Sequence, residues 1–156
     1  MWYPATVAAP AAEPVTSAQA KAQCRIASSD TSFDTEITRL IAAARAHVEA
    51  YCGARFAQRA NASMKCDSFA DFAKLPEAPV SAVAITYVDD AGNTQALSTD
   101  VYELRGHELE VAIVLKYGQA WPSIQPGSRI TVTATIGYSA APEPVLHAML
   151  LWIAES

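Results

Sequence analysis

From residue 33 onward apolar positions recur at helical spacing: Phe33, Ile37, Leu40, Ile41, Ala44, Val48 and Tyr51. A period of 3.6 sustained over five turns predicts an amphipathic helix over about 33–52. Asp34 and Glu36 favour the positive end of its dipole, and Gly53 suits the left-handed position after its last turn. Just upstream, "PVTSAQAKAQCRI" places Ala18, Ala22 and Ile26 along one face. Thr16 followed three residues later by Gln19 is a capping box, so a shorter helix is predicted over about 16–27. Joined by "ASSDTS", the two form an antiparallel helix pair that buries one stripe from each.

After Gly53 the period shortens to two. "RFAQRANASMKCDSF" reads as two strand edges around a turn at Asn61, with Phe56, Gln58 and Ala60 before it and Met64, Cys66 and Ser68 after. In "KLPEAPVSAVAITYV", Val83, Ile85 and Tyr87 alternate with Ala84, Thr86 and Val88, the signature of a half-buried strand. "DDAGN" is its turn, "TQAL" the returning strand, and "VYELRGHELEVAIVL" a second hairpin bending at Gly106. The cleanest alternation is "SRITVTATIGY", with Ile130, Val132, Ala134 and Ile136 on one side and Thr131, Thr133 and Thr135 on the other. Residues 55–138 are therefore predicted to be largely antiparallel β.

A last helix over about 143–155 opens at Pro142 or Pro144. It carries Val145, Leu146, Met149, Leu150, Trp152 and Ile153 as an unusually wide apolar surface, which either the chain's own helices or another subunit must cover. At the other end Pro4, Pro10 and Pro14 forbid a helix, so residues 1–14 read as a flexible arm, idle or laid on a neighbour. The fold class is α+β: a helix pair, a β region of hairpins and a closing helix, forming one domain over 15–156.

The 156-residue length allows about 68–70% of the unfolded surface to be buried without staples. Charged residues make up only 17% and the net charge is −5, which suits a subunit that hides surface against neighbours and opposes tight phosphate binding. Cys24, Cys52 and Cys66 are odd in number and show no C-x-x-C spacing, pointing to free thiols in a reducing compartment. "MWYPATVAAPAAEP" lacks a basic start and an unbroken apolar core, so no signal peptide is expected. No apolar run is long enough to span a membrane. The expected history is synthesis in the cytosol followed by assembly into something larger.

The residues that could carry chemistry explain themselves otherwise. Asp89 and Asp90 precede Ala91-Gly92-Asn93, where a tight turn wants carboxylates for local backbone hydrogen bonds. They lack the alternating oxygen ligands of a calcium loop. His47, His107 and His147 have no second ligand at metal-binding spacing, and Cys52 stands at the wrong end of its helix for activation. No nucleophile elbow, phosphate-binding loop or dinucleotide fingerprint is present. Arg39, Arg45, Arg55 and Arg59 are interleaved with Asp34, Glu36 and Glu49, as on a salt-bridged solvated face. Hence no catalytic, cofactor-binding or metal-binding residue is assigned, and no enzyme is expected. "YGQAWPSIQPG" is an aromatic-proline loop whose Tyr117 and Trp121 either plug their own domain or anchor a contact.

The order of these segments resembles the head–tail connector (adaptor) proteins of tailed, siphovirus-type phages and their prophage and gene transfer agent homologues. "EPVTSAQAKAQCRI", "DTEITRLIAAARAHVEAYCG", "LPEAPVSAVAITYVDDAGNTQAL", "VYELRG", "WPSIQPGSRITVTATIGY" and "PEPVLHAMLLWIA" carry it, from about Glu13 to Ala154. Where the family usually has Leu, this chain has Cys24. The resemblance implies a structural ring subunit at the particle neck, with about twelve copies closed by cyclic symmetry. Its partners would be itself, the portal protein, and a stopper or tail-completion protein. Double-stranded DNA would pass through the ring without being specifically bound, and no cofactor or membrane would be involved. Candidate interface residues are Val145, Leu146, Met149, Leu150, Trp152 and Ile153, with Tyr117 and Trp121. Alternatives are another neck protein (stopper or tail-completion subunit) or a monomeric β-rich binding module using the Tyr117–Trp121 loop.

Overall fold

A computed structural model describes residues 1–156. The chain divides into two compact units: residues 1–9 with 59–137, and residues 10–58 with 138–156.

The first unit is built on β1 (Arg59–Cys66), β2 (Val80–Val88), β3 (Thr94–Ala96), β4 (Tyr102–His107), β5 (Glu110–Leu115) and β6 (Ile130–Ile136). Four strands form an antiparallel sheet in the order β1-β6-β2-β3, while β4 and β5 form a separate hairpin. The alternation along β6 is fulfilled: Ile130, Val132, Ala134 and Ile136 are all buried. Val132 lies opposite Met64 of β1 and Ile85 of β2, both buried, so β6 is the centre of the core as well as of the sheet. A 3-10 turn at Phe69–Ala73 drives Phe72 into that core, where it is 1% exposed.

Three sequence expectations are corrected here. "RFAQRANASMKCDSF" is not two strand edges around a turn: residues 59–66 form one strand, and Asn61 takes a positive φ of 58° at the register shift between Arg59 and Ala62. Asn tolerates the left-handed conformation, so the polar residue that looked like a turn marks a bulge. The second hairpin does not bend at Gly106 but at Glu108-Leu109, where Glu108 has φ 54°. Gly106 sits inside β4 opposite Val111, and a Cβ there would lie 2.4 Å from the Glu110 carbonyl oxygen and 2.8 Å from the Val111 Cα. Gly106→Ala is therefore expected to destabilise the chain by about 1–3 kcal/mol, since backbone atoms must move. Urea unfolding checks this, and an unchanged midpoint would contradict the close approach.

Third, residues 1–9 do not hang free. Trp2 and Thr6 form antiparallel bridges with Cys66 and Ser63, laying the segment along β1. Its apolar positions Trp2, Ala5 and Val7 pack on the β core, which is what an extended Ala/Pro segment can do without forming a helix.

The second unit holds α1 (Ser17–Gln23), α2 (Asp34–Cys52) and α3 (Glu143–Glu155). The capping box forms as predicted: Gln19 N donates to Thr16 Oγ1 (3.2 Å) and Thr16 N to Gln19 Oε1 (2.9 Å). Gly53 ends α2 in the left-handed conformation, φ 65°, its N–H donating to the Glu49 carbonyl. Val15, Ala20, Ile37, Ile41, Ala44, Met149 and Ile153 form a core among the three helices. Lys21, buried at the end of α1, pairs with Asp34 and donates to the Asp30 carbonyl (2.8 Å), tying the helix link to the start of α2.

Candidate functional site

The sequence pointed to surfaces rather than to a reaction centre, and these surfaces lie in both units. On α3 the wide apolar face is largely spent within its own unit. Met149 and Ile153 are buried, and Val145, Leu146, Leu150 and Trp152 are half-buried against α1 and α2. Met149 and Ile153 are therefore core residues with no free surface to offer a partner. The outward remainder includes Leu151, 44% exposed, which sequence reasoning did not single out.

Beside it, Val145, Ala148 and Trp152 of α3 and His47, Val48, Tyr51 and Cys52 of α2 line a groove of about 420 Å³. Trp152 stacks on the His47 ring with centroids 5.8 Å apart. Tyr51 and Phe33 are 87% and 51% exposed, although helical spacing had put both on the buried stripe. They occupy the two ends of α2, and periodicity along one helix does not reveal where its neighbours stop.

The charged residues of α2 also depart from expectation. Instead of a wholly solvated face, Arg45 and Glu49 are drawn inward. Arg45 Nε donates to Glu13 Oε2 (2.6 Å) and its Nη1 to Glu49 Oε2 (3.2 Å). Arg55 Nη1 lies 3.8 Å from the same Glu49 oxygen. The other Glu49 oxygen accepts the backbone N–H groups of Phe56 (2.9 Å) and Ala57 (3.3 Å). With Glu49 only 5% exposed, this is a buried ionic clamp that fixes the chain leaving α2. The pair Arg39–Glu36 does remain on the solvated surface.

In the β unit, Trp121 lies flat on Phe69, centroids 4.8 Å apart at 4°, and edge-on to Phe72 at 5.4 Å. The aromatic-proline loop thus plugs its own unit through Trp121. Tyr117, four residues earlier, is fully exposed and is left as the contact candidate of that loop.

Asp89 serves the turn. Its Oδ1 accepts the N–H groups of Ala91 (3.0 Å) and Asn93 (2.9 Å), and its Oδ2 the Gln95 side chain (2.9 Å). The Asn93 N–H foremost, and then the Gln95 amide, hold its carboxyl below the ordinary range.

The cysteines differ sharply in environment. Cys52 is exposed, Cys24 intermediate and Cys66 buried, and burial together with the nearby Asp71 charge pushes the Cys66 thiol up to about 12. Because the thiolate is the nucleophile, a thiol reagent near neutral pH is expected to modify Cys52 first, Cys24 more slowly and Cys66 only on unfolding. Mass spectrometry of the labelled chain over time checks the order, and early modification of Cys66 would contradict it.

No family model matches the chain, and no curated protein matches it. Solved structures do. A chain in the neck of an empty gene transfer agent particle, computed with C6 symmetry, is 20% identical with a TM-score of 0.70, covering 98% of this chain and 83% of that one. One in the virion of the native gene transfer agent particle is 21% identical with a TM-score of 0.69, covering 97% and 82%. A third, from the neck of the native particle computed with C12 symmetry, is 20% identical with a TM-score of 0.63, covering 98% and 82%. Nearly the whole chain therefore adopts, as an α+β fold, the architecture found in the neck of gene transfer agent particles.

Proposed function

We propose that this chain is a non-enzymatic structural subunit of the neck of a phage or phage-like particle. In this reading it is the adaptor, a ring of about twelve copies between the portal and the stopper or tail, continuing the channel through which DNA passes. The observation that carries it is the fold agreement over 98% of the chain with a protein of a symmetric neck. Surface chemistry supports it. Only 17% of residues are charged and the net charge is −5, so the protein repels phosphate rather than gripping it, as a wall along which DNA must slide should. Exposed Tyr51, Tyr117 and Leu151 supply aromatic and apolar contact points for neighbours.

Disrupting the gene in the particle-producing bacterium tests this. Heads without tails are the expected product, restored to complete particles by the gene in trans. Normal particles from the disrupted strain would overturn the reading. Position within the neck is read from heads made without the tail-proximal neck proteins. An adaptor stays bound to the portal in those heads, whereas its loss would assign the chain to a stopper or tail-completion position.

A further inference from the structure

The first nine residues belong to the β unit, where they act as an added edge strand. Thr6 and Ser63 exchange both backbone hydrogen bonds (2.9 and 3.0 Å), and Tyr3 N donates to the Lys65 carbonyl (2.9 Å). Trp2 is the plug: its indole N–H lies between the carbonyls of Asp71 (2.9 Å) and Lys74 (2.8 Å), and its ring stacks 6.1 Å from Phe72. Strand addition of this kind draws affinity from the main chain and specificity from a side-chain pocket.

These anchoring contacts lie between residues 1–7 and the β unit. The chain that follows carries exposed Ala8, Ala9, Ala11 and Ala12, joins the helical unit from Pro10, where Glu13 is held by Arg45, and stays there to residue 58. Pro10 and Pro14 keep such a link extended rather than collapsed. A strand attached through an extended link is exchangeable, because an identical strand from a second copy makes the same hydrogen bonds in the same groove.

We propose that in the assembled neck the strand of residues 1–7 is exchanged between adjacent copies, Trp2 of one filling the groove beside β1 and Phe72 of the next. The inference rests on the ring reading above: in a cyclic array each copy donates one strand and receives one, so no groove is empty and no β1 edge is left bare. A second copy is the favoured occupant because the complementary strand is already encoded in the chain.

The test uses disulfide trapping at Thr6 and Ser63. Residues that exchange both hydrogen bonds across antiparallel strands sit about 5.5 Å apart at Cα, within disulfide reach. Full-length Thr6→Cys and Ser63→Cys chains, each also Cys24→Ser and Cys52→Ser, are co-expressed in place of the natural protein. The particles are then purified and oxidised. A covalent dimer of one Thr6→Cys and one Ser63→Cys chain, lost on reduction, is the expected result, with a ladder of multimers from the double variant. The inference is overturned if the mixture gives no dimer while the double variant closes its disulfide within one chain in the same particles, an outcome that leaves the ring reading standing. Absence of the wild-type protein from particles would remove that reading and this inference together.

Discussion

Glu49→Ala is expected to lower the unfolding free energy by about 3–5 kcal/mol, because it removes a buried carboxylate on which guanidinium groups and two backbone amides converge. Arg45 would keep Glu13, but the backbone N–H groups of Phe56 and Ala57 would lose the carboxylate oxygen to which they donate, and Arg55 a carboxylate 3.8 Å away. A loss of that size is a large part of the 5–15 kcal/mol typical of a folded domain. Glu49→Gln separates the contributions: its amide oxygen still accepts from Phe56 and Ala57, so it should fall between wild type and alanine. Urea unfolding measures both. A drop below about 1 kcal/mol for Glu49→Ala, the range of exposed pairs, would show that the clamp is solvated after all.

Met149→Ala is expected to lower stability by about 2–5 kcal/mol, the ordinary range for emptying a buried site of this size. Leu151→Ala, two residues on and 44% exposed, should change the isolated chain by no more than about 0.5 kcal/mol. The contrast separates core from contact surface on one helix. Equal and small effects at both positions would mean that the inner face of α3 is not covered by α1 and α2. If the proposed ring forms, Leu151→Ala is the variant whose defect appears in assembly rather than in folding.

Much of the fold was legible because period and caps spoke for themselves. Ile130, Val132, Ala134 and Ile136 alternate without interruption, and Thr16 with Gln19 and Gly53 mark helix ends by local hydrogen bonding that needs no tertiary partner. The illegible parts depend on long-range neighbours. Asn61 and Gly106 are turn-like in composition, and only the strand opposite shows that one makes a bulge and the other a close approach. Glu49 looked like one charge of a solvated face until the segment after α2 folded its amides and Arg55 back upon it. Trp2 offered no signal as an anchor, since its pocket comes from residues about 70 positions later in the chain.

The candidate surface was legible in kind more than in detail. Sequence correctly marked α3 as apolar on a wide face, but six residues on one helix cannot reveal which of them face α1 and α2. Met149 and Ile153 went to the core, while Tyr51, Tyr117 and Leu151 were left outside.

The central claim is that this chain is a component of a particle neck, and quantitative mass spectrometry of density-purified particles, with antibody labelling in the electron microscope, tests it most directly. The account predicts this protein in amounts matching the portal, with the label at the head–tail junction. Recovery only from the soluble fraction, while portal protein is in the particles, would contradict it.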